Sequence, residues 1–167
     1  AKAAELLRKS ADLDADNPAY RAALEAHYVQ RNALTEGLSV FEQLAAEQPK
    51  SSLNYLFIGR LHTRLDQFDA SERAYRKVQE LAPEWPEGYR VLAELYLRKD
   101  RKLTEARALA RKVLEMEPTG PHYYLLAVAC LKNNDRAGAL EATRQAVALN
   151  PGEIKYQQFL QQIQKAP

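Results

Sequence analysis

Residues 55–83 read YLFIGRLHTRLDQFDASERAYRKVQELAP. Tyr55 is followed at helical spacing by Ile58-Gly59 and then by His62, so one face of a first helix carries these positions. Ser71 and Tyr75 mark a second helix, and Pro83 ends it, because proline cannot continue a helix. Between the helices stands Asp66, one of the residues besides glycine that best tolerates a left-handed backbone at a helix end.

Working outward, the same pattern recurs. Pro49, Pro83, Pro118 and Pro151 fall at intervals of 34, 35 and 33. Tyr55, Tyr89 and Tyr123 are 34 apart, as are Leu24, Ile58, Leu92 and Leu126. Tyr28, His62, Tyr96 and Cys130 form a third column, and Asn32, Asp66, Asp100 and Asn134 a fourth. Independent columns sharing one period identify a repeat array. First helices are expected over about 18–31, 52–65, 86–98 and 121–132, and second helices over about 35–47, 68–81, 102–116 and 136–149. The uneven intervals place one extra residue around Arg101–Thr104 and a linker shorter by one at Thr119–His122. Residues 3–13 match a second helix lacking its first. Residues 153–165 form a final helix with Ile154, Phe159, Leu160 and Ile163 on its apolar side, suited to closing the open end of a stack. The expected organisation is a single array over 1–167, with full repeats at 18–49, 52–83, 86–118 and 121–151.

Composition narrows the function. Twenty-four Lys and Arg face 22 Asp and Glu, a balance of +2. That evenness argues against a nucleic-acid partner. No apolar run reaches the roughly 18 residues of a membrane helix, so no membrane insertion is expected. A single cysteine, Cys130, leaves the compartment undetermined. The opening at Ala1 has no signal-peptide character and reads as part of a longer chain.

Period, helix pairing and columns together resemble the tetratricopeptide repeat (TPR) family, whose pattern is W-x2-L-G-x2-Y, then A-x3-F, then P. Residues 55–83 match best. Unit three offers Tyr89, Leu92-Ala93, Tyr96, Ala106, Ala110 and Pro118; unit four offers Tyr123, Leu126-Ala127, Cys130, Ala139, Thr143 and Pro151. Unit one departs most. Arg21 stands where the aromatic belongs and Glu25 where the glycine belongs, although Leu24, Tyr28, Gly37, Phe41 and Pro49 are kept. The resemblance implies an all-α fold, a right-handed α-α superhelix of antiparallel helix pairs, and a protein-protein interaction module rather than an enzyme.

In that family the first helices line a concave groove. Positions not used for packing would then face it: Leu56, Phe57, Arg60, Arg64, Arg90, Val91, Glu94, Arg98, Tyr124, Leu125, Val128 and Lys132. An apolar centre with a basic rim suits a peptide with apolar anchors and some acidic residues. Phe57 and Tyr124 are the expected anchors, and the arginines read alternatively as a solvated helix face. The carboxylate clamp of chaperone-binding members does not fit: its positions fall on Ala22, Ala26, Phe57, Glu87 and Val91, or one unit later on Leu56, Arg60, Val91, Pro121 and Leu125.

No site chemistry competes. His27, His62 and His122 are scattered without metal-ligand spacing. Cys130 sits in a packing column and reads as an inert core thiol. There is no phosphate-cradling glycine-rich loop, and no cofactor is expected. Trp85, between prolines, covers a loop or anchors the groove rim. Two other readings stand beside the groove: a structural or oligomerisation scaffold, with self-association through Leu6 and Leu7 of the half repeat, and a regulatory segment of a larger protein.

Overall fold

The structure, a computed structural model, describes residues 2–14 and 17–165. The outer limits of the expected array, residues 1 and 167, lie outside the described residues. The helices are α1 (Lys2–Leu13), α2 (Pro18–Gln30), α3 (Leu34–Glu47), α4 (Ser52–Arg64), α5 (Phe68–Leu81), α6 (Pro86–Arg98), α7 (Leu103–Met116), α8 (Gly120–Lys132), α9 (Arg136–Leu149) and α10 (Ile154–Lys165). Among the described residues there is no strand, and no helix is long and apolar enough to cross a membrane. The fold is all-α, built of TPR-type helix pairs. It divides into two compact units, Ala1–Pro83 and Glu84–Pro167.

The column of Asn and Asp explains the tight turns. Asn32, Asp66, Asp100 and Asn134 all have left-handed φ, from 49° to 60°. Each follows a first helix and lets the chain fold back on itself. The Ala33 amide donates to the Tyr28 carbonyl while Asn32 donates to Val29. The same pair of bonds recurs as Gln67 to His62 with Asp66 to Thr63, and as Asp135 to Cys130 with Asn134 to Leu131. These are Schellman closures, which satisfy carbonyls a helix end leaves open. The extra residue of unit three also has a structural signature. Lys102 is a second left-handed residue in that turn, at φ 50°, and its ammonium lies 5.4 Å from the Tyr96 ring centre.

Starts are fixed as locally. Asn17 accepts from the Ala19 amide ahead of Pro18, and Asp135 Oδ1 accepts from the Gly138 amide at 2.9 Å, both ordinary N-caps. Packing then depends on small residues at the closest approaches. Ala93, Ala106, Ala110, Ala127 and Ala139 are fully buried. A Cβ on Gly59 would stand 2.3 Å from the Tyr75 ring, so no larger residue fits there without moving that ring. The Gly59 carbonyl accepts from Thr63 Oγ1 at 2.8 Å and from Ser71 Oγ at 2.9 Å, so the hydroxyls of both helices are satisfied at their crossing.

The first unit's core gathers Leu24, Phe41, Leu44, Phe57, Ile58 and Leu61, with Leu7 of α1 packed against it. In the second unit α10 packs on α9. Tyr156 and Ile163 are its buried residues, whereas Ile154, expected on the apolar side, is 65% exposed. The inward stripe runs Tyr156, half-buried Phe159 and Ile163, at the i, i+3, i+7 spacing of one helix face. Arg136 Nη2 holds the far end of α10 by donating to the Ile163 carbonyl at 2.7 Å.

Candidate functional site

The twelve residues expected in a groove divide between the two units. In the first, Leu56 and Phe57 are buried. Phe57 is the larger correction. Its ring stacks on Phe41 with centres 5.3 Å apart, so it is a core residue and not a surface anchor. The α3 ring above it uses the face that a ligand would need.

Arg60 and Arg64 do stand at the surface, and both are engaged. Arg60 Nη2 lies 3.0 Å from Glu25 Oε2, and Arg64 Nε lies 3.6 Å from Glu25 Oε1. The Arg60 guanidinium also sits over the Phe57 ring, 5.2 Å from its centre. Glu25 occupies the column of Gly59, Ala93 and Ala127, and its side chain is only 4% exposed. Burial pushes its pKa up, and the charges of Arg60 and Arg64 pull it only part of the way back. Oε1 lacks a hydrogen bond among the described residues.

This has a pH signature. A carboxyl whose folded pKa exceeds its unfolded value stabilises fully below the unfolded value of 4.5 and loses that contribution as pH rises through the folded pKa. Glu25→Gln is therefore expected to match the parent in melting temperature near pH 4 and to exceed it at pH 7. Melting curves at both pH values check this; a difference that does not change with pH, or a less stable variant at pH 7, contradicts it.

In the second unit Val91 and Leu125 are buried, 6% and 8% exposed. Arg90 is bound along its own helix, to Glu87 at 2.6 Å and to Glu94. Hydrogen bonds to Glu87 are the main reason its pKa is raised. Lys132 pairs with Asp100. Of the five basic residues expected at the rim, Arg98 alone is exposed without a carboxylate partner among the described residues.

A cavity of about 370 Å³ opens where α6, α8 and α10 meet. Leu97, Tyr124, Leu125, Val128 and Tyr156 give it an apolar lining, with Glu94, Arg98, Pro121 and Lys155 around them. Glu94, Arg98, Tyr124, Leu125 and Val128 are among the groove residues expected from the sequence; Lys155 and Tyr156 are not. Tyr124 is the centre of the arrangement. Its ring stacks on Tyr156 with centres 5.1 Å apart, meets Phe159 edge-on at 5.1 Å, and carries the Lys155 ammonium 4.2 Å from its centre. Burial raises the pKa of both tyrosines, so they present neutral rings and hydroxyls. A cavity with an apolar lining and a few polar groups is the usual form of a recognition pocket.

A second hollow, about 430 Å³, lies on α7, α8 and α9, lined by Tyr123, Leu126, Cys130 and Ala142 with Arg111, Asp135, Glu141 and Gln145 among the polar residues. Burial pushes the Cys130 thiol up, so the thiolate that would react there is disfavoured. Trp85 is half-buried at the N-cap of α6.

Known proteins share this architecture. The chain is similar to MamA residues 41–end from Desulfovibrio magneticus RS-1, with 21% identity, coverage of 89% of this chain and 84% of that one, and a TM-score of 0.76. TTC0263, a thermophilic TPR protein in Thermus thermophilus, is 14% identical over 98% of this chain and 90% of its own, with a TM-score of 0.78. YrrB, described as a TPR protein with an unusual peptide-binding site, is 18% identical over 94% and 81%, with a TM-score of 0.72. At these identities the likeness establishes the fold. No curated protein matches the sequence. A family model described as ChAPs (Chs5p-Arf1p-binding proteins) matches residues 9–165, and the protein belongs to this family.

Proposed function

We propose that the protein is a protein-interaction module that binds a peptide segment of its partner in the second unit's pocket, and that it performs no catalysis. The observation that carries this reading is the apolar lining around Tyr124, open between three helices and walled by a stacked tyrosine pair. The family description supports a protein partner, since it names two proteins that its members bind. The printed description of YrrB supports a peptide site on this fold. In this reading the partner inserts an apolar side chain against Leu97, Val128 and Tyr124, burying it from water.

The test is a random-peptide display selection on the whole chain. Enriched peptides should bind the parent and Arg111→Glu equally, because Arg111 lines the other hollow. They should fail to bind Val128→Asp, which puts a charge on the pocket wall. Peptides that ignore Val128→Asp contradict the reading.

A second reading rests on a different observation. Leu6 is 57% exposed and Leu13 is 89% exposed on α1, while Leu7 is packed inward. Exposed apolar side chains favour association. The chain is expected to self-associate as concentration rises, and Leu6→Lys with Leu13→Lys should abolish this in sedimentation. A monomer at every concentration removes the idea.

A further inference from the structure

We propose that the pocket selects partner segments bearing an acidic residue beside the apolar anchor, and that Lys155 of α10, with Arg98 of α6, sets this preference. The proposal rests on the second-unit pocket being the binding surface.

The charge pattern of the pocket supports it. Four of the basic residues expected to attract an acidic ligand are already paired with carboxylates within the fold, Arg60 and Arg64 with Glu25, Arg90 with Glu87 and Glu94, and Lys132 with Asp100. None of these four lines the pocket. The pocket keeps two cations with no carboxylate partner among the described residues, Arg98 and Lys155, both exposed and both on its lining. Its one carboxylate, Glu94, is held by Arg90. The pocket edge is therefore positive while its wall is apolar.

Lys155 is the more telling of the two. It lies in the first turn of α10, where the helix end carries partial positive charge, and that turn has no acidic residue. Its ammonium rests on the Tyr124 ring, a contact that a flexible four-carbon stem can exchange for a carboxylate at the pocket mouth. Arg98 provides a planar guanidinium suited to the same carboxylate. A carboxylate seated by these cations places the neighbouring apolar side chain over Tyr124. Helix α10 is then part of the recognition surface, and Lys155 is a specificity-determining residue.

The experiment runs the display selection in parallel on the parent chain and on Lys155→Glu, with Val128→Asp as a third arm. Lys155 is exposed, so its reversal leaves the core untouched. The parent should enrich an apolar residue with an acidic neighbour. A synthetic peptide of that consensus should bind Lys155→Glu about tenfold or more weakly, a charge-reversal effect that added salt reduces. The Lys155→Glu selection should keep the apolar anchor and replace the acidic neighbour with a basic one. An identical acidic consensus on Lys155→Glu, or an apolar consensus on the parent without acidic preference, overturns the proposal and leaves the pocket standing. Parent-selected peptides that bind Val128→Asp unchanged, or no enrichment at all, overturn the pocket and the proposal together.

Discussion

Arg21→Ala is expected to destabilise the first unit by about 3–5 kcal/mol, the combined cost of a large void and of buried acceptors left unpaired. Arg21 is fully buried. Its Nε donates to Asn54 Oδ1 at 2.6 Å, and its Nη2 donates to Gln48 Oε1 at 2.7 Å. Asn54, also fully buried, donates in turn to the Leu44 carbonyl at 3.0 Å. One side chain of α2 thus ties the end of α3 to α4. Removing it strips Asn54 Oδ1 of that donor and leaves a void the size of a large side chain, and both effects add. The loss should appear in urea denaturation followed by circular dichroism. The urea midpoint should fall relative to the parent. A shift below about 1 kcal/mol contradicts the network's importance. Arg21→Met keeps volume but not the hydrogen bonds, and should lose a smaller part, about 1–3 kcal/mol, from the acceptors left unpaired.

Tyr124→Ala is expected to weaken peptide binding by about 10- to 100-fold, or roughly 1.4–2.8 kcal/mol, as loss of a central aromatic does. Tyr124 contributes the ring on which Tyr156, Phe159 and Lys155 converge, so truncation removes the shelf for an anchor and the seat of Lys155. The effect should fall mainly on dissociation. The α10 helix should remain docked through buried Ile163 and the Arg136 bond to its carbonyl. Unchanged helical content, checked by circular dichroism, separates lost binding from lost structure. Affinity within about twofold of the parent contradicts the role of Tyr124.

How much of this is legible in the sequence differs by residue. The left-handed turns are, because Asn32, Asp66, Asp100 and Asn134 report a backbone requirement that acts at the residue itself. The additional residue of unit three is readable from proline spacing, though not that Lys102 absorbs it. Arg21 and Glu25 are visible as departures from the repeat. Their partners, Asn54 on α4 and the arginines of α4, belong to the next repeat and cannot be read within one helix. Phe57 is misread for a similar reason. Helical period gives the direction of a side chain, but Phe41 of another helix decides whether that direction is open. The missed Tyr156 has a signal. Tyr156, Phe159 and Ile163 keep helical spacing, and counting tyrosine as apolar reveals both the stripe and the wall of the pocket.

Amide chemical-shift mapping of the whole chain, titrated with a display-selected peptide, locates the binding surface residue by residue. Shifts should concentrate at Leu97, Arg98, Tyr124, Val128 and Lys155, around the pocket of α6, α8 and α10. Shifts concentrated instead at Arg111, Glu141 and Gln145, around the hollow of α7, α8 and α9, contradict binding in that pocket.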